Sequence, residues 1–575
     1  MRRELGSLSD RVFDLVVIGG GIHGACAAWD AALRGLSVAL VEREDFGGAT
    51  SANSQKIVHG GFRYLQHGDA ARLRESVRER RALLRVAPHL VAPLPFLLPT
   101  YRWGLQMRPA LRAALAVYDV LAADRNAGIT DPCRWVPAGR MVSRRECLRL
   151  APGLSGEAIT GGAVWHDAQV YNAERLTLAF VRSAAEEGAC AANYVRVTGL
   201  RPSGARLLRI GARDELTGRD VELHGRVVIS AGGPWTGQVL ALAGSARPLQ
   251  PRPLAKGICM VTKPIVNGCA VSVLPPGRNG RAATRRLYLT PWRGRTIVGC
   301  AYSSPAAQTT QECRATEDEV AALIDSTNAA YPGARLRRDD VVFVHAGLLP
   351  RSGAPAHAGA EALEDRPRIV DHAREGLPGL ISVIGVKYTT ARDVAEQAVT
   401  LAMRRLGRRA APSRSATTSV HGGACERFEA FLQEAQGWQA AALGADVITQ
   451  LVRNYGSAYG RVLDFHAADA GWRGRLSPVA SVLKAEVVHA VREEMAQRLG
   501  DVVFRRTELG TAGHPGREAL RACAALMAEE LGWDASRMDR ELEAVEGTFA
   551  EHGARAPEGG ETAPAQVAVG EEHAR

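Results

Sequence analysis

The sequence predicts a doubly wound α/β fold with an antiparallel sheet inserted between its pieces and a helical domain at the C-terminus. Three observations carry that reading. Residues 13–42 run as strand, glycine turn, helix, strand and carboxylate. Three buried apolar runs end in glycine, at Gly19, Gly232 and Gly385. Residues 427–549 are helical in pattern almost throughout.

The first element is an apolar strand, Phe13 to Ile18, that meets Gly19-Gly20-Gly21-Ile22-His23-Gly24 and a helical pattern to Leu33. This is a G-x-G-x-x-G turn. Gly19 allows the tight turn, Gly21 lets a pyrophosphate approach the backbone, and Gly24 lets the helix lie close to the sheet. The helix N-terminus offers unpaired N–H groups and a positive dipole end to phosphate. A second strand ends at Glu42, 18 residues past Gly24, near the ~20 expected of a carboxylate that grips ribose hydroxyls. Strand, turn, helix, strand and acid in this order predict dinucleotide binding.

Asp45 to Gly61 follows as a loop of Gly, Ala, Ser and Asn. Asp69 to Val86 is a helix with arginines on its exposed side, and Tyr171 to Glu187 is another helix. The strand Ala191 to Val197, a hairpin around Thr217-Gly218 and the strand Arg226 to Ser230 lead into Ala231-Gly232-Gly233-Pro234-Trp235. From Pro253 to about Phe343, short apolar runs alternate with turns, as in an antiparallel sheet. Leu380 to Ile384 is a third buried strand, followed by Gly385 and a helix from Thr390 to Leu406. A doubly wound sheet gathers such strand-to-glycine turns at its carboxyl edge, where ligand binds. The cofactor-binding pieces therefore fall at about 10–70, 165–240 and 365–408 within one region, 10–408. Residues 409–423 read as a linker, 424–550 as the helical domain and 556–575 as a disordered tail.

Bulk properties narrow the class. No apolar run approaches the ~18–20 residues of a membrane span. No apolar segment follows MRRELGSLSDR before the first strand, so no signal peptide is expected. The ten cysteines include no C-x-x-C pair; they read as reduced thiols of a cytoplasmic protein, with no metal site. The net charge of +11 is carried mainly by arginine. It reflects either codon usage or attraction to anionic lipid or substrate. The basic residues are dispersed and no nucleic-acid motif is present, so no nucleic-acid partner is expected.

The loop Thr50-Ser51-Ala52-Asn53-Ser54-Gln55-Lys56-Ile57-Val58-His59-Gly60-Gly61-Phe62-Arg63-Tyr64-Leu65 names the cofactor. Together with the N-terminal turn, with Ser230 to Trp235, with Pro291-Trp292 and with Gly385-Val386-Lys387-Tyr388-Thr389-Thr390-Ala391-Arg392, it resembles the FAD-dependent glycerol-3-phosphate dehydrogenases. These are a branch of the D-amino-acid-oxidase-like flavoproteins. The resemblance covers roughly residues 10–545 and extends to Asn454-Tyr455-Gly456 and Arg505-Arg506-Thr507 in the helical part. It implies FAD in a glutathione-reductase-type domain, oxidation of sn-glycerol 3-phosphate to dihydroxyacetone phosphate, and electrons passed to a quinone or other acceptor. Thr50, Ser51 and Ser54 would supply hydroxyls along the cofactor. The dipole of the helix beginning near Thr389 would stabilise negative charge at the reduced ring.

The resemblance also names the chemistry-bearing residues. His59 has a natural pKa for proton transfer near neutrality. Arg63, beside Tyr64, can grip a phosphate or carboxylate in bidentate fashion. Lys387 could pair with substrate or with reduced flavin. Three positions depart from the family pattern. The arginine of G-x-R-P falls at Leu349, and Arg351, two positions on and on the same face of an extended chain, is the candidate substitute. The family's K-G-[ST]-H reads Lys256-Gly257-Ile258-Cys259. Its G-T-T-D reads Gly299-Cys300-Ala301-Tyr302. A lost charge-assisted contact typically costs ~1.5–3 kcal/mol, which leaves room for a different small anionic hydroxy or amino compound as substrate. A flavin-bound assembly subunit without turnover is the reading from another class.

Tyr101 to Ala122 mixes Trp103, Leu105, Met107, Leu111, Leu115 and Tyr118 with Arg102, Arg108 and Arg112. Such a segment suits either peripheral contact with the inner face of the cell membrane or packing as an ordinary helix on its own domain. The sequence fixes no oligomeric state.

Overall fold

The computed structural model describes residues 1–102, 106–203, 207–244, 253–276, 285–304, 313–352 and 363–554. The expected tail, and Trp103 and Leu105 of the amphipathic segment, lie outside them.

The cofactor-side sheet has the order Arg368–Asp371, Leu380–Ile384, Asp220–Ser230, Val12–Ile18, Val38–Val41, Cys190–Ala192. Its central pairings are parallel, with Ile18 beside Val41 on one side and Ser230 on the other. Successive side chains point to opposite faces, and both faces are covered, so the strands read as unbroken apolar runs. Leu15, Val17, Val38, Leu40, Val227 and Ile229 face the helices Ile22–Leu33, Ala173–Glu186 and Ala391–Arg405. Val16, Ile18, Ala39, Val41 and Val228 face the other way. That second face is covered mainly by a meander of the strands Val195–Pro202, Leu208–Asp214 and Asp220–Ser230 rather than by a helical layer. The expected single strand from Ala191 to Val197 is two strands, broken at Asn193-Tyr194 where Tyr194 takes a positive φ.

The second sheet is larger than the sequence predicts. The stretch from Pro253 to about Phe343, expected as an antiparallel sheet, holds Leu254–Thr262, Ala270–Val273, Leu287–Trp292 and Arg295–Ser303, and Val341–Pro350 begins within it. They are joined by Ile57–Val58, Val91–Tyr101, Arg140–Ser143 and Ile159–Val170, with one parallel contact at Ala270–Phe96. The substrate-side sheet is thus drawn from two separate insertions.

The helix Ala70–Val86 is capped by Asp69, which accepts from the Arg72 amide. Its arginines do not all face solvent: Arg74 and Arg78 do, whereas Arg80 is fully buried. Segment 409–423 forms no helix or strand but is docked on the body, because its hydroxyls answer buried charge. Ser413 Oγ donates to Asp30, and Ser415 Oγ accepts from Arg392 Nη1 at 3.0 Å. Beyond it, helices from Phe428–Leu443 to Ala535–Glu551 build the C-terminal part. Val487, Val503, Leu520 and Phe549 share one core with Val261, Trp292, Ile297 and Phe343 of the substrate-side sheet. The helical part therefore backs that sheet.

Candidate active site

The three glycine turns converge because no side chain could fit where they meet. At Gly19, φ is +106°, and a Cβ would stand 2.6 Å from the Ala231 carbonyl oxygen, against the Ala231-Gly232 turn. A Cβ on Gly24 would stand 1.8 Å from the Gly19 carbonyl oxygen, so the helix crosses directly over the turn. At Gly385 a Cβ would meet the His23 ring at 2.1 Å. All three turns line one cavity of about 670 Å³.

One end of this cavity is built for a nucleotide. Glu42 is half-buried, with its carboxylate accepting from the Gly20 amide at 2.6 Å and the Glu44 amide at 2.9 Å. Burial pushes its carboxyl above the ordinary range. Arg43 lies 4.0 Å over the Trp235 ring beside it. The amide of Ile22, at the start of the first helix, donates to Ser51 Oγ at 3.0 Å, so Ser51 stands where a phosphate would meet the helix dipole. His23 Nε2 is buried without a hydrogen-bond partner among the described residues. An orphaned ring nitrogen, a carboxylate beside the glycine turn and a helix N-terminus fit an adenosine diphosphate half of FAD.

The loop from Thr50 leads to the other end. Thr50 Oγ1 donates to the Leu348 carbonyl at 3.1 Å, and Ser54 Oγ accepts from the Lys56 amide at 3.3 Å. Lys56 Nζ, fully buried, pairs with Glu174 at 2.6 Å. Gln55 Nε2 donates to the carbonyls of Tyr288 and Gly299, tying this loop to the second sheet. The glycines of H-G-G are steric. A Cβ on Gly60 would meet Tyr118 Oη at 2.2 Å and Arg80 Nη1 at 2.4 Å, and Gly61 has φ +81°.

His59, Arg63, Tyr64, Lys387 and Thr389 are brought together against the same cavity. The His59 amide donates to Thr389 Oγ1 at 3.3 Å, and its ring meets Tyr64 edge-on, centroids 5.8 Å apart. Burial, then the charges of Lys387 and Arg63, push the His59 imidazole down to about 3, so the ring is neutral. Lys387 Nζ lies 4.5 Å from the Tyr64 ring and donates to the Asp365 carbonyl at 3.3 Å. Burial, then Arg72, bring its ammonium down to about 8. Arg63 is exposed to the cavity and makes no ion pair among the described residues.

Arg351 does not join them. Leu349 lines the cavity, beside Tyr302 and Cys259, but Arg351 lies beyond it, with Nη1 donating to Ser304 Oγ at 3.3 Å. Two residues along the strand return to the same face but carry the side chain past the rim. Arg286 and Tyr288, from the neighbouring strand region, line the cavity instead.

Sequence reasoning missed Asp167. It is buried in the strand Ile159–Val170, where it accepts from the Gly60 amide at 2.5 Å, Trp165 Nε1 at 3.1 Å and Arg80 Nη1 at 3.2 Å. This anchors the loop that carries His59. An aspartate inside the apolar run Ala163 to Val170 was the available signal.

Comparisons with known proteins agree with the geometry. A family model described as FAD dependent oxidoreductase matches residues 14–392, and one described as the C-terminal domain of alpha-glycerophosphate oxidase matches 413–538. A glycerol-3-phosphate dehydrogenase of Synechocystis is 32% identical, covering 94% of this chain and 97% of the relative. The chain belongs to the FAD-dependent glycerol-3-phosphate dehydrogenase family. Glycerol-3-phosphate dehydrogenase 2 of Mycobacterium tuberculosis is also 32% identical, over 93% of this chain and 88% of its own. The solved structure of the glycerol-3-phosphate dehydrogenase from Bacillus halodurans, complexed with FAD, superposes with a TM-score of 0.74 at 25% identity, covering 96% and 97% of the two chains. The protein is an FAD-dependent oxidoreductase, and its substrate is small and anionic. Leu349, Cys259 and Tyr302 stand at its cavity wall.

Proposed function

We propose that the protein oxidises sn-glycerol 3-phosphate to dihydroxyacetone phosphate and passes the electrons to a quinone. The observation that carries this reading is the convergence of His59, Arg63, Tyr64 and Lys387 on one cavity with the three glycine turns. Glu42, the first helix N-terminus, Ser51 and the Thr50–Ser54 loop would hold FAD, with Gly385 and Thr389 at its ring. FAD held there would supply a hydride acceptor for oxidation of a secondary alcohol. His59, neutral in its surroundings, takes the hydroxyl proton. Arg63 and Lys387 hold the phosphate, and Arg286 supplies the cation that position 349 lacks.

Anaerobic mixing of the purified yellow protein with sn-glycerol 3-phosphate tests the reading. Bleaching of the flavin band at a catalytically useful rate supports it. Bleaching only by another small anionic hydroxy or amino compound supports the second reading, which Leu349, Cys259 and Tyr302 favour. A flavin that none of these compounds reduces leaves the non-catalytic subunit.

For the membrane, support is narrower. In the helix Arg108–Leu121, Leu111, Leu115 and Tyr118 are spent on the protein's own core. Met107, Val117 and Val120 remain exposed, as does Arg112. Among the described residues no helix is long and apolar enough to cross a bilayer. We propose peripheral contact of this face with anionic lipid at the inner face of the cell membrane. Flotation with anionic liposomes at low salt is expected to carry the protein upward, and absence of binding there removes the proposal.

A further inference from the structure

The cavity wall holds two cysteines that alcohol oxidation does not use. Cys259 lies in the strand Leu254–Thr262 and Cys300 in Arg295–Ser303. These strands pair antiparallel, but the register slips: Ile258 faces Ala301 while Cys259 faces Gly299. Cys300 is therefore the extra residue of a bulge, without a partner in the ladder, and bulges re-aim side chains. Here the bulge lays Cys300 against Cys259, with the sulfurs 2.7 Å apart. Both are free thiols and both line the cavity. No other two cysteine sulfurs are hydrogen-bonded among the described residues.

The pair is asymmetric. Cys259 is 3% exposed, in the apolar core it shares with Val261, Trp292 and Ile297. Cys300 is half-buried, with Gln55 Oε1 at 3.7 Å. The hydrogen bond from Cys259 first, then that from Tyr302 and the charge of Arg285, favour a Cys300 thiolate against the cost of burial. The thiolate is the nucleophilic form, and a partner thiol within contact is what turns a first oxidation into a disulfide.

We propose that Cys259 and Cys300 form a hydroperoxide-reactive dithiol, a modification site in the wall of the active cavity. The Cys300 thiolate attacks the peroxide O–O bond, takes one oxygen as a sulfenic acid and expels the other as hydroxide or alkoxide, which is protonated. The Cys259 sulfur then displaces the sulfenic oxygen as water. One hydroperoxide is reduced to an alcohol, or to water when it is hydrogen peroxide, plus one water. Two thiols are oxidised to one disulfide. A thiol reductant reverses the change by exchange.

The test uses the flavin-loaded, full-length protein and one equivalent of hydrogen peroxide, followed by alkylation and non-reducing peptide mapping. The expected product is a peptide pair joined through Cys259 and Cys300, two hydrogens lighter than the reduced pair and released by dithiothreitol. The exposed Cys133 keeps its alkyl label. In Cys259→Ser the reaction stops at Cys300, where dimedone traps the sulfenic acid; in Cys300→Ser Cys259 stays alkylated. The wild-type map is decisive whether or not either variant folds. Both cysteines alkylated after the peroxide is consumed, or oxidation appearing first at Cys133, overturns the proposal.

Discussion

The Arg506 guanidinium donates two parallel hydrogen bonds to the Asp45 carboxylate, Nη1 to Oδ2 at 2.6 Å and Nη2 to Oδ1 at 2.7 Å, with both side chains fully buried. Arg505 Nε adds a third at 2.5 Å, and Asn193 Nδ2 a fourth at 2.9 Å. Asp45 belongs to the loop behind the first β-α-β unit, whereas Arg505 and Arg506 belong to the helical part. A cluster of buried charge thus joins the cofactor side to the C-terminus. Removing Arg506 takes away two of the four hydrogen bonds to the buried Asp45 carboxylate and leaves it only Arg505 and Asn193. Arg506→Leu is expected to destabilise the protein by about 3–5 kcal/mol, read as a lowered urea midpoint. A change under about 1 kcal/mol would show that the pair is no stronger than a surface bridge.

The same cluster sets an acid limit. Burial opposes ionisation of Asp45, but the Arg506 and Arg505 charges overcome it and hold the carboxyl well below its usual range. Glu494 behaves alike, held down against burial by Arg175, His489 and Arg182. For a carboxyl depressed in the folded state, the stabilisation is present above its unfolded pKa, ~3.9 for Asp and ~4.3 for Glu. It is lost as pH falls below those values toward the folded ones. The thermal midpoint should therefore fall steeply below about pH 4, and Asp45→Asn should flatten that descent. A wild-type midpoint flat down to pH 3 would contradict the assignment.

Lys387 predicts the alkaline limb of activity. With its ammonium near 8, the charged form that holds an anionic substrate is lost as pH rises through that value. kcat/KM reports ionisations of the free enzyme, so it should decline above about pH 8. Lys387→Arg should carry the plateau to higher pH, because a guanidinium stays charged. An unmoved limb in that variant would assign the ionisation elsewhere.

His59→Asn should keep flavin and lose turnover. The asparagine retains the backbone amide that reaches Thr389 but accepts no proton, and general-base loss typically costs ~10²–10⁴ in rate. The flavin spectrum and kcat, measured on one preparation, separate the two effects. A kcat within a few-fold of wild type would remove His59 as the base.

The nucleotide end is testable by colour. Gly24→Ala places a methyl 1.8 Å from the Gly19 carbonyl oxygen, forcing helix and turn apart, so the purified variant should carry little flavin. Glu42→Ala, losing a charge-assisted grip worth ~1.5–3 kcal/mol, should weaken FAD by one to two decades. The ratio of flavin to protein absorbance checks both.

The legible and illegible parts of the chain differ for physical reasons. Val12–Ile18, Asp220–Ser230 and Leu380–Ile384 are covered on both faces, so their apolar runs end visibly in glycine. Val91–Tyr101 hid because Pro93, Pro95 and Pro99 argue against a strand. All three have the same parity, so their missing donors point to one edge and leave the pairing with Ile159–Val170 intact. In the site, His59, Arg63 and Lys387 sit in contiguous glycine-rich motifs and could be read. Asp167 announced itself only as an acid within an apolar run, and Arg286 not at all, because both reach the cavity from the second sheet region, far in sequence from their partners. Arg351 failed for a related reason: strand periodicity gives the face of a side chain, not its distance along the cavity.

The separation of Asp45 from Arg506 along the chain is 461 residues, and that has a consequence for biosynthesis. At ~5–20 residues per second, a ribosome needs roughly 25–90 seconds to add that length. Throughout this interval the nascent N-terminal half carries an acid whose counter-ions have not yet been made. Translation halted before codon 505 leaves the loop that carries Asp45 without either of the guanidinium groups that meet it in the finished chain.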